Sequence, residues 1–315
     1  MNQKTFSSLA YDSKKKVTRR EKFLGEMDGV IPWKRLEALI EPVYPDVGTG
    51  RPPIGLSRML RIYFMQQWFQ LSDPGMEDSL YDSESMRRFA RIELGEDAIP
   101  DETTICKFRH LLEEHELTKR IFTEVRGYLD GKGLILREGT IVDATIITAP
   151  SSTKNDEKKR DPEMSSTKKG NQWYFGMKVH VGADTDNGIV HTLECTTAKV
   201  HDSVMMEKLL HGDEEEVYGD KAYANEKMRN EFEANNIAWK VARKGTRARK
   251  LTKGDRSRNR RMNKVRAKVE HAFGVVKNLW GFRKVRFRGL KKNGAQIFTL
   301  FALSNLFMVR ARLAS

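Results

Sequence analysis

Between Trp33 and Leu129 the apolar residues recur at helical spacing, as in "RLEALIEPVY", "LSRMLRIYFMQQWFQL" and "PDETTICKFRHLLEEH". Pro, Gly and Ser separate these runs, and Asp101, three residues before Thr104, is placed to cap a helix amino end. No strand-like alternation interrupts them. After Gly133 the period falls to two: "LREGTIVDATIITAP", "WYFGMKVHVGAD" and "GIVHTLECTTAKV" alternate and are rich in Val, Ile and Thr. They predict three strands in meander order, the second ending in the turn "DTDNG". A capped helix "DSVMMEKLLHG", a strand "EEVYGDKAY", a helix "NEKMRNEFEANN" and a strand "IAWKVAR" follow. A long helix containing "NKVRAKVEHAFGVVKNLW", residues 263–280, and a final helix from about Asn293 to Leu313 complete the chain.

This order, βββ, α, β, α, β, α, α, is that of an α/β, ribonuclease-H-like domain: a mixed five-stranded sheet flanked by helices. The expected organisation is a basic arm over 1–22, an all-helical domain over 23–132 and the sheet domain over 133–315. Residues 76–110 read as a helix-turn-helix element or, at least as well, as plain helical packing or dimer contacts. Two polar loops, "SSTKNDEKKRDPEMSSTKKG" and "KGTRARKLTKGDRSRNRRM", are expected to be flexible without a ligand.

Charge sharpens the picture. Lys240 to Lys292 holds 21 Lys and Arg against two acids, Asp255 and Glu270, a net of +19 in a chain whose total is +14. The rest is therefore slightly acidic, and the basicity forms one surface suited to polyanionic phosphate. In the arm, the Lys14–Lys16 cluster with Arg19 and Arg20 reads as a solvated tail or a DNA contact. The mean hydropathy of −0.61 argues for a soluble protein. "IFTLFALSNLFMV" is too short to span a bilayer and carries Ser304 and Asn305, so no membrane role is expected. Cys106 and Cys195, far apart and outside any CxxC, indicate neither a disulfide framework nor a zinc site and fit a reducing cytoplasm.

Three carboxylates stand out against this background. Asp143 interrupts the Val/Ile strand "TIVDATII", where an unpaired buried charge costs on the order of several kcal/mol. Asp220 ends the strand of "VYGDKAY", where α/β sheets place functional residues, although it can also be a helix N-cap. Glu270 is fixed by helical geometry: at about 100° per residue it shares a stripe with Asn263, Arg266 and Lys277, while Val265, Val269, Phe273 and Val276 form the adjoining apolar flank. Alone it would be read as an i, i+4 partner of Arg266, worth about 0.5 kcal/mol. Together, three such acids beside a basic surface suit two Mg²⁺ ions, with Mn²⁺ as a substitute, clamping an in-line phosphoryl transfer.

The same residues carry a family resemblance. "GTIVDATIITAPSSTK", "GNQWYFGMKVHVGADTDNGIVHT", "AKVHDS", "YGDKAY", "RAKVEHAFGVVK" and "FRKVRFRGLKKN" resemble the DDE transposases of bacterial insertion sequences, in the insertion-sequence-five branch. "IPWKRLEALIEPVYP", "GRPP", "LSDPGMEDSLYDSESMRRFA" and "IPDETTICKFRHLLEEHEL" extend the likeness over nearly the whole chain. The resemblance implies a catalytic, metal-holding triad of Asp143, Asp220 and Glu270. It also implies the family's Tyr, Arg, Glu, Lys signature at Asn263, Arg266, Glu270 and Lys277, with Asn in the Tyr position. The linker before Glu270 is too short for the large β insertion of some relatives, so a plain catalytic core is implied.

The implied function is a DNA transposase that binds insertion-sequence ends, nicks them by metal-assisted hydrolysis and joins the 3′-hydroxyl to target DNA. Its partners would be double-stranded DNA, at transposon ends and target, and further copies of itself as a homodimer or higher oligomer. Its place would be the bacterial cytoplasm, on the nucleoid. The helical domain would serve DNA end recognition, dimerisation or both. A catalytically silent DNA-binding derivative and a nuclease without strand transfer are the alternatives. Candidate DNA contacts are Arg266, Lys277, Lys178, Arg283, Arg286 and Arg288. The last three interleave with Trp280, Phe282 and Phe287, which either stack an unpaired base or join the core. Lys178 and His180 lie on the strand beside Asp143, where a phosphate contact competes with a local hydrogen bond.

Overall fold

A computed structural model describes residues 11–46, 52–246 and 250–314. Residues 1–10 of the basic arm, Gly50 and Arg51 of "GRPP", and Arg247 and Arg249 of the basic segment lie outside the described residues. The chain divides into two compact units, residues 1–120 with 309–315, and residues 121–308. The division falls at Arg120 rather than at Lys132, inside a helix.

The first unit is helical: α1 (Arg19–Val30), α2 (Trp33–Ile40), α3 (Leu56–Phe69), α4 (Asp73–Asp82), α5 (Glu84–Ala90) and α6 (Glu102–Glu114), leading into α7 (Leu117–Gly131). Caps set the starts: Thr18 and Glu21 form a capping box on α1, and Asp101 accepts the Thr104 N–H at 2.7 Å on α6. Arg19 and Arg20, read as tail, open α1 instead, and Lys14 and Asp12 of the arm pair with Glu21 and Arg88. The central helix α3 buries Met59 to Trp68 on every face, so its pattern is that of a core helix. Arg61 is fully buried within it. Its guanidinium binds Asp28 at 2.6 Å and the Phe89 carbonyl, and lies 3.9 Å from the centre of the Trp33 ring.

The second unit is built on a six-stranded mixed sheet, one strand more than expected. The strands are β1 (Gly139–Thr148), β2 (Ser165–Lys169), β3 (Gln172–Asp184), β4 (Val190–Thr197), β5 (Glu216–Gly219) and β6 (Ala238–Val241). Their order is β2-β3-β1-β5-β6, with β4 also on β3. β1 runs antiparallel to β3, with Asp143 opposite Val181, and parallel to β5, which runs parallel to β6. The architecture is ribonuclease-H-like. The added strand β2 comes from the polar loop. It pairs with the start of β3 across the turn Gly170–Asn171, where Gly170 takes φ +62°.

One face of the sheet buries Val142 and Val217 against Met205, Leu209, Met228, Phe232 and Trp239. The segment over residues 202–209 forms two short 3₁₀ turns, Asp202–Met205 and Glu207–Leu209, and not the helix its pattern predicted. It lies so close to β3 that a Cβ on Gly182 would stand 2.0 Å from the Leu209 carbonyl oxygen. The sheet-facing side chains of an α-helix have no room there.

α8 (Glu226–Ala234) packs on this first face through Met228 and Phe232, and the other face meets the basic helix segment, which is not continuous. It comprises α9 (Lys253–Arg266), α10 (Val269–Gly274) and a π turn at Val275–Leu279. Between α9 and α10 the bonds shorten to i, i+3, from Lys268 to Val265 and from Glu270 to Ala267. Here the Lys268 carbonyl abuts Gly188 of the β3–β4 turn, where an added Cβ would lie 2.6 Å from it. The last helix, α11 (Leu290–Leu313), is 24 residues long and apolar enough to cross a membrane, but 67% of that stretch is buried inside the fold. The expectation that its apolar run is too short is thus corrected, and burial accounts for the composition. Ser304 and Asn305 are fully buried, and the Asn305 amide both donates to the Val190 carbonyl and accepts its N–H.

Candidate active site

Asp143 is buried in the middle of β1, on the face turned toward α9 and α10. Its Oδ2 accepts from Arg266 Nη1 at 2.5 Å, and its Oδ1 accepts the Ala144 N–H at 2.8 Å. Burial pushes its carboxyl up to about 6, and the negative charges of Glu270 and Asp220 push the same way. Arg266 and the Ala144 N–H pull against that rise. The three acids, drawn from β1, the residue after β5 and α10, therefore share one electrostatic neighbourhood. Arg266 sits among them. Its Nη1 is also 3.7 Å from Glu270 Oε1, the i, i+4 contact expected from the sequence. Asp220 Oδ1 accepts the Ala222 N–H at 2.7 Å, a local turn cap that uses one of its oxygens.

A cleft of about 460 Å³ opens beside these groups, lined by Asp220, Arg243, Lys244, Asn259, Asn263 and Arg266. Asn263, the departure from the family signature, thus faces the same space as Asp220 and Arg266. Arg243 and Lys244 were not singled out from the sequence. The available signal was position, because they follow β6 just as Asp220 follows β5, at the carboxyl edge of parallel strands. Tyr223, the last residue of "YGDKAY", is buried beneath the site in the sheet core, and burial raises its hydroxyl well above the usual range.

The other candidates are engaged within the protein. Lys178 lies opposite Ile146, on the face away from Asp143, and binds Asp202 at 2.9 Å and the Val200 carbonyl. His180 shares that face, bonded to Thr196 at 2.8 Å and lowered to about 4 by burial. Lys277 does not continue the Arg266–Glu270 stripe into solvent. The 3₁₀ tightening and the π turn alter the angular step, and its ammonium bonds Thr145 Oγ1 and the Ile146 carbonyl, both at 3.0 Å. Burial lowers its pKa. Arg283 holds Asn278 and the Lys277 carbonyl, Arg288 pairs with Glu157, and Arg286 is exposed. Trp280 and Phe282 are buried, so of the two readings of these aromatics they take the core one.

Carboxylate oxygens are the donors hard divalent cations take. Among the described residues, however, no three acids, imidazoles or thiols stand close enough to hold one ion. The position between Asp143 and Glu270 is filled by the Arg266 guanidinium, a cation held by the same oxygens. The residues fit a divalent ion in kind and charge, with Arg266 as its stand-in.

The decisive comparison is with family models. That of the transposase DDE domain matches residues 135–306, more than half of the chain, and spans all three acids. The chain belongs to the DDE transposase family. A second transposase domain (DUF772) matches residues 11–111, the helical unit. Among solved structures, a synaptic complex of piggyBac transposase with hairpin DNA is similar over 92% of this chain and 73% of that one, with a TM-score of 0.44 and 10% identity. A DDE transposase cuts and joins DNA strands, and the sheet domain described above is the DDE domain of this one.

Proposed function

We propose that this DDE transposase belongs to the insertion-sequence-five branch of bacterial elements, binds the element's ends, nicks them by hydrolysis and joins the freed 3′-hydroxyl to target DNA. The supporting observation is that one cation, Arg266, pairs with Asp143, lies 3.7 Å from Glu270, and lines a basic cleft together with Asp220. Asp143, Asp220 and Glu270 are the residues that would hold Mg²⁺ or Mn²⁺, which when bound supplies a polarised attacking oxygen and positive charge at the leaving oxygen. Arg243 and Lys244 line the cleft beside Asp220 and take backbone phosphates there. Arg266 has two anionic partners in reach, the protein's carboxylates and a DNA phosphate. Its transfer to phosphate would free Asp143 and Glu270 for their catalytic role. The protein works on DNA in the cytoplasm as a homodimer or higher oligomer, so that two ends are held together.

The test is to incubate the protein with its flanking end sequences and Mg²⁺ or Mn²⁺ and to sequence the products. Asp143→Asn, Asp220→Asn and Glu270→Gln are each expected to lose cleavage and strand transfer while still binding ends. Cut but unjoined products would select the simple nuclease. Binding without any metal-dependent cut would select the silent DNA-binding derivative.

A further inference from the structure

Trp173 is 67% exposed, whereas Trp68, Trp239 and Trp280 are buried and Trp33 is half-buried with its indole N–H bonded to Asp28. It stands on the hairpin of β2 and β3, directly opposite Lys168 and one residue from the Lys169–Gln172 pair at the turn. Both lysines are exposed, and no acid occurs from Ser165 to Ala183. The acids just before the hairpin face elsewhere: Glu157 pairs with Arg288, and Asp161 and Glu163 accept the N–H groups of Gly289 and Leu290. The hairpin therefore presents an exposed indole with Lys168 directly opposite it and Lys169 at the turn. An indole left in water in this way has a use when something flat and anionic covers it.

Two features connect it to the cleavage site. Alternation along β3 puts Trp173 on the face of Val181, the residue opposite Asp143. Lys169 is also near enough to Lys277 for their charges to repel, and Lys277 binds Thr145 and Ile146, just beyond Asp143 on β1. Trp173 stands eight residues along β3 from Val181, about 26 Å at ~3.3 Å per residue, so DNA held at Asp143 and following this face would reach it.

Resting on the DNA-cutting role proposed above, we infer that Trp173 is a stacking site for an unpaired nucleobase of the bound DNA end, with Lys168 and Lys169 holding the phosphates on either side. A π-face accepts any base, so the site selects for strand separation rather than for sequence. Trp280 and Phe282, two of the three aromatics that the sequence offered for this task, are in the core, and the third, Phe287, is half-buried.

The experiment uses the full chain, in EDTA so that no strand is cut. It compares a blunt duplex with the same duplex bearing a short single-stranded 5′ overhang that contains 2-aminopurine. The parent is expected to bind the overhang form more tightly and to quench its fluorescence, and the overhang should shield the exposed indole from acrylamide. Trp173→Ala should lose roughly 5- to 160-fold in affinity for the overhang form, the span of one base–aromatic stack, with blunt-duplex affinity unchanged. Trp173→Tyr should restore most of that loss, and Lys168→Ala should weaken the overhang form more than the blunt duplex. Unchanged overhang binding by Trp173→Ala, or an equal loss on both duplexes, would overturn the stacking site and leave the transposase reading standing. A parent that binds neither duplex would overturn both together.

Discussion

Arg61 and Arg266 are each held by an aspartate inside the protein, but only one of them is free to change partners. Arg61 is fully buried in α3, sandwiched by Trp33 and tied to Asp28 and a backbone carbonyl, and the same unit encloses Arg87 and Arg109 on internal oxygens. These guanidiniums cement helices. Arg266 instead lines an open cleft, and its neighbours Arg256, Arg260, Arg261 and Lys264 are exposed. Arg61, Arg87 and Arg109 of the helical unit are thus consumed by the architecture, whereas Arg256, Arg260 and Arg261 of the DDE domain stand exposed on the helix that carries Arg266. The lesson is that net charge alone does not locate a polyanion surface. What locates it is where cations have been left without a structural duty.

The sharpest break in this comparison comes from Arg61→Ala, which removes a buried partner and leaves a cavity beside Trp33. A loss of about 3–5 kcal/mol in the stability of the helical unit is expected, measured by chemical denaturation, and a loss well under ~1 kcal/mol would show that Arg61 is as dispensable as a surface arginine.

Acid should divide the two units next. His180 and His191 are buried neutral in the DDE domain, lowered by burial to about 4 and about 3, while His110 and His115 of the helical unit are exposed. The unfolded chain takes up protons on these two side chains below about pH 6.5, and the folded domain does not until pH falls to about 4 and then about 3. Stability of the DDE domain should therefore be unaffected by these groups above pH 6.5. Below it, each imidazole should lower stability by about 1.4 kcal/mol per pH unit until the folded form also binds protons, with Asp143, raised to about 6, offsetting about one imidazole's share between about pH 6 and pH 4. Hydrogen exchange resolved by region, as a function of pH, measures this. His191→Gln should reduce the slope in the DDE domain alone.

Arg266→Gln sharpens the contrast at smaller cost. Asp143 can protonate once its partner is gone, so stability should drop by only about 1–1.5 kcal/mol at neutral pH. The vacated oxygens should bind Mn²⁺ several-fold more tightly in the DNA-free protein, read by electron paramagnetic resonance or calorimetry. Unaltered Mn²⁺ affinity would mean that Arg266 does not compete for that position. The smallest effect expected is that of Arg260→Ala, which should lower the slope of log affinity against log salt by about 0.9, one phosphate's share, with no change in unfolding.

The elements that carry the acids were legible because each is specified locally. Asp143 broke an alternating apolar strand, Asp220 stood at a strand end, and Glu270 with Arg266 obeyed the i, i+4 rule, which needs only one turn of helix. What escaped was set by distant chain. The shortened turn after Arg266 answers to Gly188, the 3₁₀ turns over residues 202–209 answer to Gly182, and neither glycine announces which backbone will press on it. Strand β2 has no apolar alternation to read, since Ser165–Lys169 is polar throughout, and only its ladder with β3 defines it. The face occupied by Lys178 depended on the register of β1 with β3, which a sequence pattern leaves open by one residue.

The Asn305 amide gives the fold a timetable. In the finished protein it satisfies both backbone groups of Val190, at a separation of 115 residues. While the chain is being made, β4 is complete long before α11 exists, so the Val190 N–H and carbonyl are left to water and a long stretch of apolar surface has nothing to cover it. The last apolar helix to emerge is the one that closes this seam. A chain interrupted before Asn305 would carry all three acids and the cleft residues yet keep that seam open to aggregation and proteolysis, so synthesis through Asn305 becomes a condition for a durable DDE domain.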